Sequence, residues 1–194
     1  MRPQAAVHDG AMTKPAPDLL DTLRSLRQSR RFLPTPIAHE DLEQLLEVAR
    51  WTGSAKNTQP WHLIVVTEPE ANTALAGYGD FTDFLAGVAA SIVVAVEGEG
   101  RSVAFDDGRL QERVMLAAAA RGIGSGTAWF SSGTARRKVR DLLGFPSHME
   151  PWSAIGLGHT DTSQAQASPQ LSGRKAVEEI VSWGRYGVVS PSGE

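Results

Sequence analysis

The sequence predicts an α+β fold in which helices cover one sheet of about four strands. Three observations carry that expectation. Apolar residues recur at helical spacing in two long stretches, Leu42, Leu45, Leu46, Val48, Ala49 and Leu110, Val114, Leu116, Ala117, Ala120. Two β-branched apolar runs, His62-Leu63-Ile64-Val65-Val66 and Ala90-Ser91-Ile92-Val93-Val94-Ala95-Val96, have the length of strands. Helical and extended segments interleave with no internal repeat.

The elements follow in order. Asp18 to Gln28 reads as a helix, with Leu19, Leu20, Leu23 and Leu26 on adjacent faces and Asp18 near its start. Pro34 and Pro36 break the chain. His39 to Trp51 is the second helix, with His39 as its starting residue. A polar loop leads into a strand from His62 to Thr67. Pro69 to Gly77 reads as a helix and Asp80 to Ala86 as a shorter one. Ala90 to Val96 is a buried strand, and Gly98 to Gly100 turns the chain. Asp106 to Arg121 is the clearest helix, its alanine run allowing close approach. Gly122 to Gly126 is a glycine-rich helix end that passes into an extended stretch through Phe130. Thr134 to Leu143 is a helix that stops at Gly144, with Pro146 beyond. Ser153 to Leu157 is a strand, Asp161 to Gly173 a polar loop, and Ala176 to Trp183 a short helix. Residues 1–17 read as a flexible lead in which Met12 is an alternative start, 18–187 as the folded domain, and 188–194 as a loose tail.

Bulk properties narrow the function. The chain has 194 residues, enough for one domain with a sizeable core. Hydrophobic residues make up 41% and charged residues 21%, which marks a globular chain. A net charge of -3 without a single-sign tract disfavours a nucleic-acid surface. No apolar run approaches the roughly 20 residues of a membrane helix. Cys is absent, which removes disulfides, thiolate metal sites and cysteine nucleophiles, and fits a reducing cytoplasm. None of His8, His39, His62, His148 and His159 is expected in a helical i,i+4 pair with an acidic partner, so no zinc site is expected. There is no P-loop, and Gly122-Ile123-Gly124-Ser125-Gly126 leads from helix to strand, the reverse of a dinucleotide fingerprint.

Three segments hold the chemistry. Ser54-Ala55-Lys56-Asn57-Thr58-Gln59-Pro60-Trp61 is long for a helix-to-strand link and carries a hydroxyl and amides suited to a ring edge or a ribityl chain. The same residues also suit a polar turn, with Trp61 anchoring it on the core. Arg27, Ser29, Arg30 and Arg31 lie within five positions and can grip a phosphate, because arginine presents a permanent bidentate fork. A solvated basic patch is the plainer reading of that cluster. Arg174-Lys175 is a second basic pair, far off in sequence. Asp106-Asp107 reads as a helix-start acid pair that favours the macrodipole, and Ser131-Ser132 as a cap.

These segments, in this order, resemble the FMN-dependent nitroreductase family. The resemblance rests on Arg27-x-Ser29-x-Arg31-Phe32, Ser54-x-x-Asn57-x-Gln59-Pro60-Trp61, the helix running from Asp106 into Gly122-Ile123-Gly124-Ser125-Gly126-Thr127-Ala128-Trp129, and Arg174-Lys175-Ala176-Val177-Glu178-Glu179-Ile180. It spans about Leu19 to Trp183. It implies a mixed sheet covered by helices in an intertwined homodimer, with FMN at the subunit interface. By resemblance, Arg27 and Ser29 hold the phosphate and ribityl end and Arg31 stands near N1 and O2 of the ring. Ser54, Ala55 and Asn57 reach the flavin bound mainly by the other subunit. Thr127, Ala128 and Trp129 run along the ring near N5, and Arg174 closes on the phosphate. The flavin carries the chemistry, so no catalytic side chain is expected.

The implied activity is hydride transfer from NADH or NADPH to FMN N5, then to a nitroaromatic, quinone or similar acceptor, by a ping-pong scheme. Two alternatives stay open. One is an FMN enzyme that uses oxygen to dehydrogenate a specific substrate or to fragment flavin; the other is a non-catalytic flavin-sequestering protein. No membrane or nucleic-acid partner is expected. The chain departs from the family pattern in places. Gly53 stands where many relatives have proline, and Ser172 replaces a lysine that some relatives use at the phosphate. The link between the Val96 strand and the Asp106 helix is too short for the helical excursion that covers the flavin in larger relatives.

Overall fold

Strand β2 (Ala90–Glu97) is apolar on both of its faces, so it demands cover from both sides. It receives it: Ile92 to Val96 are fully buried, with Ile92, Val94 and Val96 in one core and Val93 and Ala95 in the other. The computed structural model describes residues 19–98, 100–163 and 173–189. β2 pairs antiparallel with β1 (Trp61–Val66) and with β4 (Met149–Gly158), and β4 pairs antiparallel with β3 (Gly124–Trp129), giving the order β1-β2-β4-β3. The predicted α+β class holds. A parallel pairing would need a strand beyond these four.

Helices α2 (His39–Arg50) and α4 (Arg101–Ala120) cover one face through Leu42, Leu45, Leu110, Val114 and Ala118. The other face is covered by α3 (Pro69–Ala76), a 3-10 turn at Asp83–Gly87, and α5 (Gly133–Leu143). Two buried polar side chains beside β2 pair with each other: Ser91 Oγ donates to Asn72 Oδ1 at 2.6 Å, and Asn72 Nδ2 donates to the Val66 carbonyl. Ser132 caps α5, its Oγ accepting from Ala135 N at 3.0 Å, and left-handed Gly144 (φ 71) ends that helix. Gly122 (φ 71) ends α4 in the same way.

One expectation on the histidines is overturned: His39 Nε2 lies 3.4 Å from Glu43 Oε1, an acidic partner one turn on in α2. Several boundaries move. Helix α1 is short, Leu19–Ser25, and leaves Leu19, Leu20 and Leu23 exposed, while Leu26 packs on the core. α4 begins at Arg101 rather than Asp106, because Gly100 (φ 108) already turns the chain. Asp106 and Asp107 are therefore not helix-start acids; they lie in the second turn and are buried. β4 begins at Met149 rather than Ser153. The segment at Asp80 to Ala86 forms only the 3-10 turn. In place of a helix from Ala176 to Trp183 there is only α6 (Val177–Ile180), which buries no residue and so has no packing to extend it. The chain divides into two compact units after Asp161, and α6 belongs to the second.

One face of β3 and β4 is nearly bare. Register places Gly124 opposite Gly158, Gly126 opposite Gly156, and Ala128 opposite Ala154. Three successive cross-strand pairs thus lack any side chain beyond a methyl. Ser29, Arg30, Phe32 and the Phe84 ring occupy the vacated space. A Cβ on Gly158 would stand 2.8 Å from Phe32 Cδ1 and one on Gly156 2.8 Å from Phe84 Cε2. Valine favours strands, yet Gly158→Val overpacks this contact and should destabilise the fold by about 1–3 kcal/mol. The urea midpoint measures this, and an unchanged midpoint would show that Phe32 is not held there.

Candidate functional site

The basic segment becomes a clamped strand edge. Ser29 N donates to the Ser125 carbonyl at 2.7 Å, Leu33 N to His159 O at 2.8 Å, and Asp161 N to Arg31 O at 3.1 Å; Phe32 bridges Thr160. Ser29 Oγ and Thr160 Oγ1 share a hydrogen bond of 2.9 Å. Gln28 Oε1 accepts from both the amide and the hydroxyl of Thr127, at 3.3 Å each, and from Arg30 Nη2 at 2.7 Å. This ties the segment to β3. Arg30 lies with its guanidinium 4.3 Å above the Phe84 ring, and burial lowers its pKa. It is engaged in packing more than in gripping an anion. Arg27 Nη1 donates to the Arg24 and Leu26 carbonyls, both at 2.8 Å, which orients the guanidinium through neutral acceptors.

The loop from Ser54 is built under strain. Lys56, Asn57 and Gln59 all have left-handed φ (52, 56 and 46), conformations that cost a non-glycine residue on the order of 1 kcal/mol or more each. Ser54 Oγ accepts from Gln59 N at 2.8 Å and closes the loop, and Ala55 N donates to Asp106 Oδ2 at 3.4 Å. Asn57 is exposed at its tip. Gly53 fits because a Cβ there would meet Arg109 Nη2 at 3.0 Å, and Arg109 in turn is 3.5 Å from Asp106. Trp61 packs against the α2–α4 core as the anchor expected. Sequence reasoning grouped the loop with the basic segment; the folded chain fastens the loop to α4 and the segment to β3 and β4.

The end of β3 is divided by pleating. Ala128 buries its methyl in the second core, so only its backbone is available, while Thr127 is half-buried and Trp129 is 44% exposed on the opposite face. Trp129 stacks on Trp152, with ring centroids 5.6 Å apart and planes inclined by 27°. Beneath them Asp107 accepts from Ser153 Oγ at 2.9 Å and from Gln111 Nε2 at 3.0 Å. Burial pushes the Asp107 carboxyl up to about 6, against the lowering pull of those two hydrogen bonds. Gln28, Thr160, Asp107 and Trp152 were not among the predicted site residues. Asp107 stands within the motif helix, where it reads as a helix-start acid, and Gln28 fills an unspecified place in the first motif; pairing and burial reveal the place of all four. Arg174 lies in the second unit, exposed, with Nη1 donating to Gly173 O at 2.8 Å. Ser172 lies outside the described residues.

Comparison with known proteins agrees with the resemblance. A family model described as the nitroreductase family matches residues 23–80. A protein of Archaeoglobus fulgidus provisionally named NADH dehydrogenase/NAD(P)H nitroreductase is 30% identical over 150 residues, spanning 73% of this chain and 85% of the relative. An FMN-dependent nitroreductase from Clostridium difficile superposes with a TM-score of 0.75 at 21% identity, over 86% of this chain and 99% of that one. An NADPH:FMN oxidoreductase from Vibrio harveyi, complexed with NAD+, gives 0.71 at 20% identity, over 89% and 79%. The two structures speak for the fold.

Asp107 gives a stability test with a defined sign. Its folded pKa is raised, so the folded state holds the proton more tightly than the unfolded chain between about pH 4 and 6. The protonated group's contribution is full below about pH 4 and is lost as the pH rises through about 6. Asp107→Asn should therefore gain on the parent by roughly 2–3 kcal/mol between pH 4 and 7. Urea unfolding of both proteins across that range measures it; parallel curves would place the carboxyl in a solvated environment.

Proposed function

The chain belongs to the nitroreductase family, and from that premise we propose that it is an FMN-dependent oxidoreductase that takes reducing equivalents from NADH or NADPH and delivers them to a nitroaromatic, quinone or similar acceptor. The observation that supports this most is the basic segment clamped on the bare face of β3 and β4, which sets Arg27, Ser29 and Arg31 on a rigid edge. The donor set fits a phosphate ester: guanidinium groups whose charge is permanent, beside the hydroxyls of Ser29 and Thr160. When bound, FMN would supply two-electron hydride chemistry that no side chain here can perform.

The protein's own residues then bind and orient. Arg27 and Ser29 hold the phosphate and ribityl end, with Arg174 of the second unit as a further cation. Arg31 provides positive charge against which negative charge can develop on the ring. Ser54, Ala55 and Asn57 present donors from a loop whose strain keeps their directions preset. Thr127, Ala128 and Trp129 offer the backbone of β3 to the flat group. Donor and acceptor use the same face in turn, so the donor leaves before the acceptor binds.

We also propose a homodimer in the cytoplasm, with the loop from Ser54 serving the flavin of the neighbouring subunit. Leu19 at 69%, Trp51 at 67% and Phe105 at 65% exposure leave apolar surface on α1, after α2 and on α4 for a second copy to cover. The absence of cysteine suits a reducing compartment.

The purified protein should carry a flavin absorbance that bleaches without air when NADH or NADPH is added. A protein that binds FMN but is reduced by neither would refute the oxidoreductase reading. Arg31→Ala should weaken FMN binding about tenfold and slow reduction; unchanged affinity and rate would remove Arg31 from the site. Sedimentation should give a dimer, and a monomer that retains all its FMN would exclude a shared interface site.

A further inference from the structure

The stacked tryptophans result from a bulge. Val94 pairs with Ser153 but Ala95 pairs with Pro151, so Trp152 is the extra residue in β4. Without the bulge, alternation would turn Trp152 toward the same side as Ala154. With it, Trp152 joins Ser153 on the α4 side and meets Trp129 there. The two rings, with Val103, Ala104 and Asp107 of α4, wall a cavity of about 170 Å³. Asp107 is part of that wall, and each of its carboxylate oxygens can accept more than one hydrogen bond.

Gly100 and Trp152 also line a neighbouring groove, whose other walls are Gly133, Arg136, Arg137, Arg140 and Glu150. Arg136 Nε lies 3.0 Å from Glu150 Oε2, and Arg140 pairs with the same carboxylate. Three guanidinium groups face one acid, so two positive charges remain. Arg136 also lies 3.8 Å over the Trp152 ring, which brings the charged groove into contact with the aromatic wall. A flat, apolar-walled cavity with an acceptor, continuous with a net cationic groove, matches a heteroaromatic base joined to a phosphate.

We propose that the cavity and the groove together form a subsite for the adenosine-phosphate end of the nicotinamide dinucleotide donor. The base lies against the Trp129–Trp152 pair, its exocyclic amine directed to Asp107, and the ribose 2'-phosphate on Arg136, Arg137 and Arg140. The proposal rests on the reading of the chain as an NAD(P)H-dependent enzyme. It deepens that reading by making the protein selective for NADPH and by naming Arg137 as a residue that reads the phosphate. Arg137 is exposed, so its replacement leaves the core intact.

The test uses the full chain loaded with its flavin. Adenosine 2',5'-bisphosphate, adenosine and inorganic phosphate are each titrated by calorimetry and by tryptophan fluorescence. The bisphosphate should bind more tightly than adenosine or inorganic phosphate and should quench the fluorescence. Arg137→Ala should weaken it roughly tenfold and Arg137→Glu further still. In turnover, Arg137→Ala should raise KM for NADPH about tenfold and leave kcat and the NADH parameters unchanged. Bisphosphate binding no tighter than inorganic phosphate, or an NADPH-to-NADH preference unmoved by Arg137→Glu, would overturn the subsite. Flavin reduced by neither nicotinamide would instead overturn the activity. The two failures are distinct, because nucleotide binding is measured without turnover.

Discussion

Three cross-strand pairs without bulk, Gly124–Gly158, Gly126–Gly156 and Ala128–Ala154, decide how the rest of the molecule is arranged. A side chain on these positions would hold neighbouring layers at the usual packing distance. Their absence lets a backbone segment approach the sheet and exchange hydrogen bonds with it, as Ser29 does with Ser125 and Leu33 with His159. Clamping the segment costs conformational entropy. The rings of Phe32 and Phe84, seated over the bare strands, help to offset that cost by removing apolar area from water. The cationic residues thus gain a fixed address from glycine, a residue that contributes no contact of its own.

Helix α4 organises the opposite face. Its second turn carries two neighbouring acids with different duties. Asp106 reaches the strained loop through Ala55 and holds Arg109. Asp107, held by Ser153 and Gln111, lies at the wall of the tryptophan cavity. The pair therefore joins the loop to the end of β3 through a rigid element. Burial raises the pKa of the Asp107 carboxyl. The β4 bulge completes the face by bringing Trp152 beside Trp129. The same distortion stands beside Pro151, in the part of β4 that pairs with β2 alone.

The sequence by itself determined the class of fold, because period 3.6 and period 2 hydrophobicity are local properties. It determined β2 as a strand buried on both faces, since its β-branched run has no polar side. The caps at Ser132, Gly122 and Gly144 were equally legible, as the residue types that satisfy helix ends are few. It also marked Arg27, Ser29, Arg31, Ser54 and Asn57 as a group, through their order along the chain. Tertiary structure alone decided the rest. The start of α4 followed the backbone turn at Gly100 and not the acid pair, which was drawn into the interior instead. α1 left three of the four leucines on its adjacent faces exposed. Gln28, Thr160 and Trp152 acquired their roles from strand register, and a one-residue bulge set which way a tryptophan points. Register and burial depend on partners distant in sequence, so no local pattern could specify them.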